Sequence, residues 1–279
     1  MPNDFTNFIP EVWSKKVLRN LDNSTGMIKC VNKDYEGDIK SAGDTVKIRS
    51  FGNVTTQTYG GSISRESLTS PLSTLTIDQR SYFGFSIPTI DDKQSDINIA
   101  QGYLERAHIS ASIQQDTFLL GAYADVAAGN IVNAVGSPYS MNKDTIYAKF
   151  VEIAKTLKKA NAVERGGKRP YVMINPDVEA VLLQAPEFIH ATETGDKTIR
   201  EGSIGRIANL DVMVSTNLQA ISSKIPVLAG ITDAITFANQ VVELRRMDDQ
   251  SSFSVLYDGL YVYGKKVTIP TGLALCWMS

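Results

Sequence analysis

The chain has 279 residues, 43% of them hydrophobic and 21% charged, with 28 Lys and Arg against 30 Asp and Glu for a net charge of -2. This composition excludes a disordered or fibrous chain, and the near-even charge balance excludes whole-chain attraction to nucleic acid or to an acidic membrane. At about 150 residues per domain the length suggests roughly two lobes, able to bury about 75% of the unfolded surface without disulfide staples.

Residues 5–21 read as an arm running into a short helix, with Pro10 suited to a first helical position and Val12, Trp13, Val17 and Leu21 following at helical spacing. Asp34, Glu36 and Asp38 alternate as on a solvated charged strand flanked by Lys33 and Lys40. Period-two alternation then predicts two strands, one through Val46, Ile48 and Val54 and a second through Leu75, Ile77, Phe83, Phe85 and Ile87. The segment between them, 59–71, consists mostly of turn and small polar residues. Fully extended, Thr45 to Tyr59 would span roughly 50 Å, against a radius of gyration near 19 Å for a compact domain of this size. Such a ribbon is too poor in apolar residues to be stable alone, so it must lie on its own sheet or on something else.

The strongest helix signal runs from Ser95 to about Ala124, with Ala100, Leu104, Ala107, Ala111, Phe118 and Ala122 on one stripe. Asn142 opens a second predicted helix, with Ile146, Phe150, Ile153 and Leu157 inward and an end at Arg165-Gly166-Gly167. Tyr171–Ile174 reads as a buried strand, and Asn175-Pro176 as the cap and first turn of a helix burying Val178 and Leu182. Further strands are predicted at Leu210–Ser215, Ile225–Leu228, Val241–Arg246, Phe253–Leu256, Gly259–Val262 and Leu273–Met278, with a short helical or extended piece at Thr232–Asn239. The class is α+β, with no regular βαβ repeat of a doubly wound nucleotide fold.

Catalytic and metal patterns are not found. Only His108 and His190 are present; the first reads as a helix packing residue, and the second sits in a polar loop without an adjacent Asp or Cys. Gly202-Ser203-Ile204-Gly205 matches neither a nucleophile elbow nor a phosphate loop. Asp91-Asp92 and Asp248-Asp249 read as acidic turns, and no calcium pattern is completed. Cys30 and Cys276 lie far apart with no Cys-x-x-Cys pair, so neither structural zinc nor a redox dithiol is expected and a reducing compartment fits. The first residues lack a basic stretch followed by an apolar one, and no run of about 18 apolar residues occurs, so neither export nor a membrane span is expected. The Asn23 and Asn53 sequons then read as chance matches. One charge bias remains: eight lysines and arginines between 141 and 169 face only Asp144, Glu152 and Glu164. A nucleic-acid face has this composition, and so does a soluble helix whose C-terminal lysines complement the helix dipole, which is the simpler reading.

The order of segments is more specific than any one motif. Phe8-Ile9-Pro10-Glu11-Val12-Trp13-Ser14, Val31-Asn32-Lys33-Asp34-Tyr35-Glu36-Gly37-Asp38-Ile39 and Ala42-Gly43-Asp44-Thr45-Val46-Lys47-Ile48 open the chain. Ala208-Asn209-Leu210-Asp211-Val212-Met213-Val214-Ser215, Asp233-Ala234-Ile235-Thr236-Phe237-Ala238 and Gly259-Leu260-Tyr261-Val262-Tyr263-Gly264 follow. In that order and over nearly the whole chain they resemble tailed-phage major capsid proteins.

The resemblance implies a Hong Kong 97-like capsid fold and a division into five parts: an N-terminal arm and lead-in (1–44), an extended hairpin loop (45–90), a peripheral domain with a long spine helix (91–169), an axial domain (170–250) and C-terminal strands returning to the peripheral domain (251–279). It implies self-assembly into hexamers and pentamers of an icosahedral shell around double-stranded DNA, in a virion assembled in the host cytoplasm, with no catalytic role and no cofactor or metal. The arm would dock on a neighbouring subunit and the extended loop would lie across it, which gives Trp13 on the arm and Tyr59, Arg65, Glu66 and Leu68 on the loop as expected interface residues. No coiled-coil or propeptide-like domain precedes Phe8, so a separate scaffolding protein is expected beside a portal protein and non-specifically held DNA, and no decoration domain is inserted. Some capsids of this fold join a loop lysine covalently to an asparagine of an adjacent subunit. Here no lysine lies between Lys47 and Lys93, and the loop's Arg65 and Arg80 stay protonated, so that nucleophile is missing. A phage tail or baseplate protein and a small-substrate enzyme using the acidic loops are the alternatives.

Overall fold

A computed structural model of the chain describes residues 25–34, 45–49, 54–56, 58, 65–67, 70, 72–88, 99–162, 169–186, 205–249 and 251–279. In chain order the strands are β1 (Thr45–Arg49), β2 (Leu72–Thr76), β3 (Gln79–Pro88), β4 (Ile131–Asn133), β5 (Tyr171–Ile174), β6 (Arg206–Ile207), β7 (Leu210–Val214), β8 (Ile225–Gly230), β9 (Ile235–Asp248), β10 (Ser254–Val267) and β11 (Leu273–Met278). The helices are α1 (Ile99–Leu120), α2 (Ile146–Lys159) and α3 (Pro176–Leu183).

The three uninterrupted apolar runs, β5, β8 and β11, are buried along their whole length, as strands covered on both faces must be. They form the middle of a mixed six-stranded sheet ordered β4-β11-β8-β5-β7-β6. On one face lies α2, whose Ile146, Phe150, Ile153 and Leu157 are buried. Beside it α3 buries Val178 and Leu182, its first turn closed by the Asn175 side chain, which accepts from the Val178 N–H at 2.9 Å. The opposite face is covered by the turn at Met27–Lys29, where Gly26 sits against Met173, and by the residues after α1, where Tyr123 meets Trp277 edge to face at 5.5 Å.

A second, three-stranded sheet, β3-β10-β9, grows out of this core. The base of its long ladder, Ile235, Phe237, Tyr263 and Val267, belongs to the main core, whereas most of the distal half of β9 is exposed. At about 3.3 Å per residue a strand of 14 residues reaches about 45 Å, and the 22-residue α1 reaches about 33 Å beside it. The C-terminal half of α1 is rooted by buried Gln115, Asp116, Leu119 and Leu120, while residues 101–110 include none that is buried. The β1–β2 hairpin, in register from Thr45↔Thr76 to Arg49↔Leu72, packs on the ladder base through a small core of Ile48, Leu75, Ile77, Ala238 and Val262.

Several expectations are corrected. The second apolar run is not one strand: it breaks at Ile77-Asp78, its first half pairing with β1 and its second with β10. Phe253–Leu256 and Gly259–Val262 fuse into the single β10, because Tyr257-Asp258 between them pairs with Phe85 and Gly84 instead of turning; a Cβ at Gly259 would lie 2.2 Å from Cε1 of Phe83, whose ring fills the space. Thr232–Asn239 divides into a short turn and the start of β9. The long helix occupies Ile99–Leu120 and tightens to 3-10 geometry at Gly121–Asp125, and residues 95–98 lie outside the described ones. The cap of α2 is Thr145; Asn142 acts one turn earlier, its side chain accepting from Asp144 N–H at 3.0 Å. That helix gives way at Ala160, ahead of the expected Arg165-Gly166-Gly167, which are not among the described residues. Asp34 belongs to a turn, its N–H donating to the Asn32 side chain, and Glu36 and Asp38 lie outside the described residues.

Candidate subunit-interface surfaces

The described titratable groups do not assemble a catalytic centre. Among the described residues no group of three His, Cys, Asp or Glu side chains gathers to hold a metal ion. Nor is any described helix long and apolar enough to cross a membrane. Burial pushes both thiols up to about 12, helped at Cys30 by the charge of Asp116, so neither is a ready nucleophile. His108 is exposed rather than half-buried, yet its ring does pack: it lies edge-on to Tyr261 and Phe83, with Nδ1 2.6 Å from the Tyr261 hydroxyl. His190 lies outside the described residues.

What the fold displays instead is projecting apolar surface. At the far end of the ladder, Phe253 is 90% exposed in the turn between β9 and β10. That turn is held by Asp249, whose carboxylate accepts from the Ser251 N–H and hydroxyl and from the hydroxyls of Ser252 and Ser254. These bonds stabilise the charged form and draw the Asp249 carboxyl down to about 2. Because this folded value lies below the ordinary 3.8, the contribution of the cage is complete above about pH 4 and is lost as the pH falls through about 2. In an NMR titration the Ser251 amide should move with a midpoint near 2, and a midpoint near 3.8 would show that the cage does not form.

Along the sheet, cross-strand partners share a face. Phe83, Phe85, Tyr257 and Tyr261 stack with Tyr103 and His108 on the α1 side. On the other side Tyr82 is 85% exposed, paired with Leu260, and the Glu243–Arg245 pair at 2.6 Å lies alongside. Large exposed apolar groups concentrated on one projecting element mark an interaction surface.

The sequence-expected interface residues are placed in part. Arg65 and Glu66 are described and exposed, while Trp13, Tyr59 and Leu68 lie outside the described residues. Glu66 has a local partner, accepting from the Thr55 N–H at 3.1 Å. Thr55 and Glu66 each stand six residues in sequence beyond the last β1–β2 pair, Arg49 and Leu72. The root of the loop therefore packs on its own chain, while Val54, 69% exposed, and the other described distal residues face solvent. Reading by pattern missed Phe253, although an aromatic inside the serine run of a turn is a visible signal.

It also missed Asp116, fully buried on α1. Its Oδ1 accepts from the backbone N–H groups of Met27 at 2.8 Å and Ile28 at 3.2 Å, and its Oδ2 from Asn217 Nδ2 at 2.9 Å and Ser215 Oγ at 3.4 Å. One carboxylate thus ties α1, the turn at Met27–Lys29 and the loop after β7.

No protein-family model and no curated protein matches the chain. Solved structures do. A structure from Mycobacterium phage Che8 superposes with a TM-score of 0.78 at 25% sequence identity, over 98% of each chain. A capsid structure of cyanophage P-SCSP1u matches over 100% of this chain and 95% of that one, with a TM-score of 0.76 at 12% identity. The capsid of Ralstonia phage GP4 matches over 96% and 94%, with a TM-score of 0.69 at 12% identity. The α+β fold is shared from end to end with these chains.

Proposed function

We propose that the chain is the major capsid protein of a tailed phage, copies of which associate into the hexamers and pentamers of an icosahedral shell enclosing double-stranded DNA. The observation that carries this reading is the match in fold over 98% of each chain with the Che8 structure and over 100% of this chain and 95% of the other with the cyanophage capsid. The role is structural rather than catalytic, and the protein is a component of the virion, assembled in the host cytoplasm. Residues 1–44 act as the arm, 45–90 as the loop reaching a neighbour, 91–169 as the peripheral domain with α1 as its spine, 170–250 as the axial domain, and 251–279 as strands returning to the peripheral part. Strand β11 joins these parts, since it pairs with β4 on one side and β8 on the other. Trp13, Tyr59, Arg65, Glu66 and Leu68 contact neighbouring subunits, and a separate scaffolding protein, a portal and non-specifically bound DNA complete the set of partners.

Negative-stain imaging and size-exclusion chromatography of the expressed chain test the reading, with capsomers, rings or shells expected and a persistent monomer overturning it. Deleting Gly60–Ser70, or replacing Phe253 by serine, should change subunit stability by less than about 1 kcal/mol while strongly reducing particle yield. Burying a Phe ring at a contact contributes about 1.5–3 kcal/mol, repeated at every copy in the shell. Boiled particles should run as a single band at 30.5 kDa. Loss of monomer folding in either variant would show that these segments support the subunit itself.

A further inference from the structure

The basic bias of residues 141–169 has a structural counterpart on α2. Helix α2 carries two stripes. Ile146, Phe150, Ile153 and Leu157 face the core, and a second stripe begins with half-buried Tyr147 and Val151, the latter 41% exposed, and ends in Lys155, Lys158 and Lys159. Together with the β6–β7 turn this second stripe lines a groove of about 550 Å³. The turn wall is fixed: Ala208 and Asn209 both adopt left-handed backbone, φ 46 and 70, as a two-residue type I′ turn requires.

The three lysines pair with no carboxylate among the described residues, the nearby Glu152 being engaged by Lys149 at 2.8 Å. Helix-dipole complementarity accounts for a cation in the last turn, where Lys158 and Lys159 lie, but not for Lys155 a turn earlier, nor for the exposed Val151 beside it.

We infer that this groove receives an acidic, amphipathic peptide segment of a partner protein. Such a segment sets its carboxylates against the lysine rim and its apolar side chains against Tyr147 and Val151. Duplex DNA presents only phosphates to such a surface and leaves the apolar floor idle. Where the partner acts rests on the shell reading above; that it binds does not.

The test is fluorescence anisotropy with the full chain and three labelled probes: a short peptide alternating pairs of Glu and Leu, its Glu→Gln counterpart, and a short DNA duplex. Saturable binding of the acidic peptide, weakening as salt is raised, is expected. Lys155→Gln, Lys158→Gln and Lys159→Gln together should weaken it about tenfold, as three exposed ion pairs imply, whereas the triple Arg variant should retain it. Val151→Ser should weaken it several-fold. All these positions are solvent-facing, and matched melting curves by circular dichroism identify any loss as local. Absence of saturable peptide binding overturns the inference, as does binding indifferent to both variants. Duplex binding that depends on the lysines but not on Val151 overturns it in favour of nucleic acid. Shells that form from a chain that ignores the peptide sink this inference alone, and peptide binding by a chain that never assembles sinks the shell reading alone.

Discussion

Replacing Asp116 by alanine is expected to cost the free subunit about 3–5 kcal/mol, because a buried carboxylate with several donors cannot be removed without leaving those donors facing apolar surroundings. The N–H groups of Met27 and Ile28 and the amide of Asn217 lose this acceptor together, and they come from segments 88 to 101 residues away in sequence. The loss should appear as a lower urea midpoint with an unchanged slope. Asn at this position keeps one acceptor oxygen and should lose less. A second readout follows from Cys30, whose buried thiol closes the turn held by Asp116, its backbone N–H donating to Met27 O at 2.9 Å. In the alanine variant a thiol reagent should label Cys30 much faster, while Cys276 on the far face of the sheet keeps its slow rate. Unchanged midpoint and labelling would show that the N-terminal segment is held by packing alone.

Gly264→Ala should be nearly as damaging, at about 2–3 kcal/mol. A Cβ at Gly264 would lie 2.3 Å from the Thr76 carbonyl oxygen and 3.1 Å from Cα of Ile77. Both are backbone atoms at the junction of β2 and β3, so no side-chain rotation relieves the overlap. The junction must move away from β10, opening the small core of Ile48, Leu75, Ile77, Ala238 and Val262. Gly102→Ala is the matched contrast: nothing lies within 4 Å of its Cβ position, it is exposed inside α1, and alanine there should stabilise by about 0.5–1 kcal/mol. Thermal melts of the two variants should shift in opposite directions. Equal stability of Gly264→Ala and the parent would mean that the strands do not approach this closely.

Elements whose burial is encoded within a few residues were legible in advance. β5, β8 and β11 are unbroken apolar runs, the inner stripe of α2 repeats at steps of three and four, and Asn175-Pro176 is a cap with its mechanism attached. Features decided by distant partners were not. Leu75, Ile77, Phe83, Phe85 and Ile87 all fall on odd positions, so nothing local marks Ile77-Asp78 as the place where β1 yields to β10. Tyr257-Asp258 reads as a break between two strands until β3 pairs through it, with Phe83 occupying the face of Gly259. Asp116 looks like any carboxylate after two glutamines, because the donors that justify its burial lie about ninety residues before it and a hundred after. Of the interface residues, the resemblance pointed to the loop; Phe253 carried a visible signal in its serine run, while the lysine-rimmed groove emerges only when strands and helix are placed in space.

The position of β11 sets an order of events during synthesis. It follows β4 and β8 in sequence yet lies between them, and among the described strands β4 pairs with β11 alone. At about 5–20 residues per second on the ribosome, β8 is made several seconds before the strand that covers its open edge. Until Leu273–Met278 arrives, the nascent subunit holds an unpaired apolar strand edge of the kind that recruits other chains indiscriminately. Closure of the sheet therefore waits for delivery of β11, so a ribosome that stalls before it leaves a chain fit for aggregation rather than assembly.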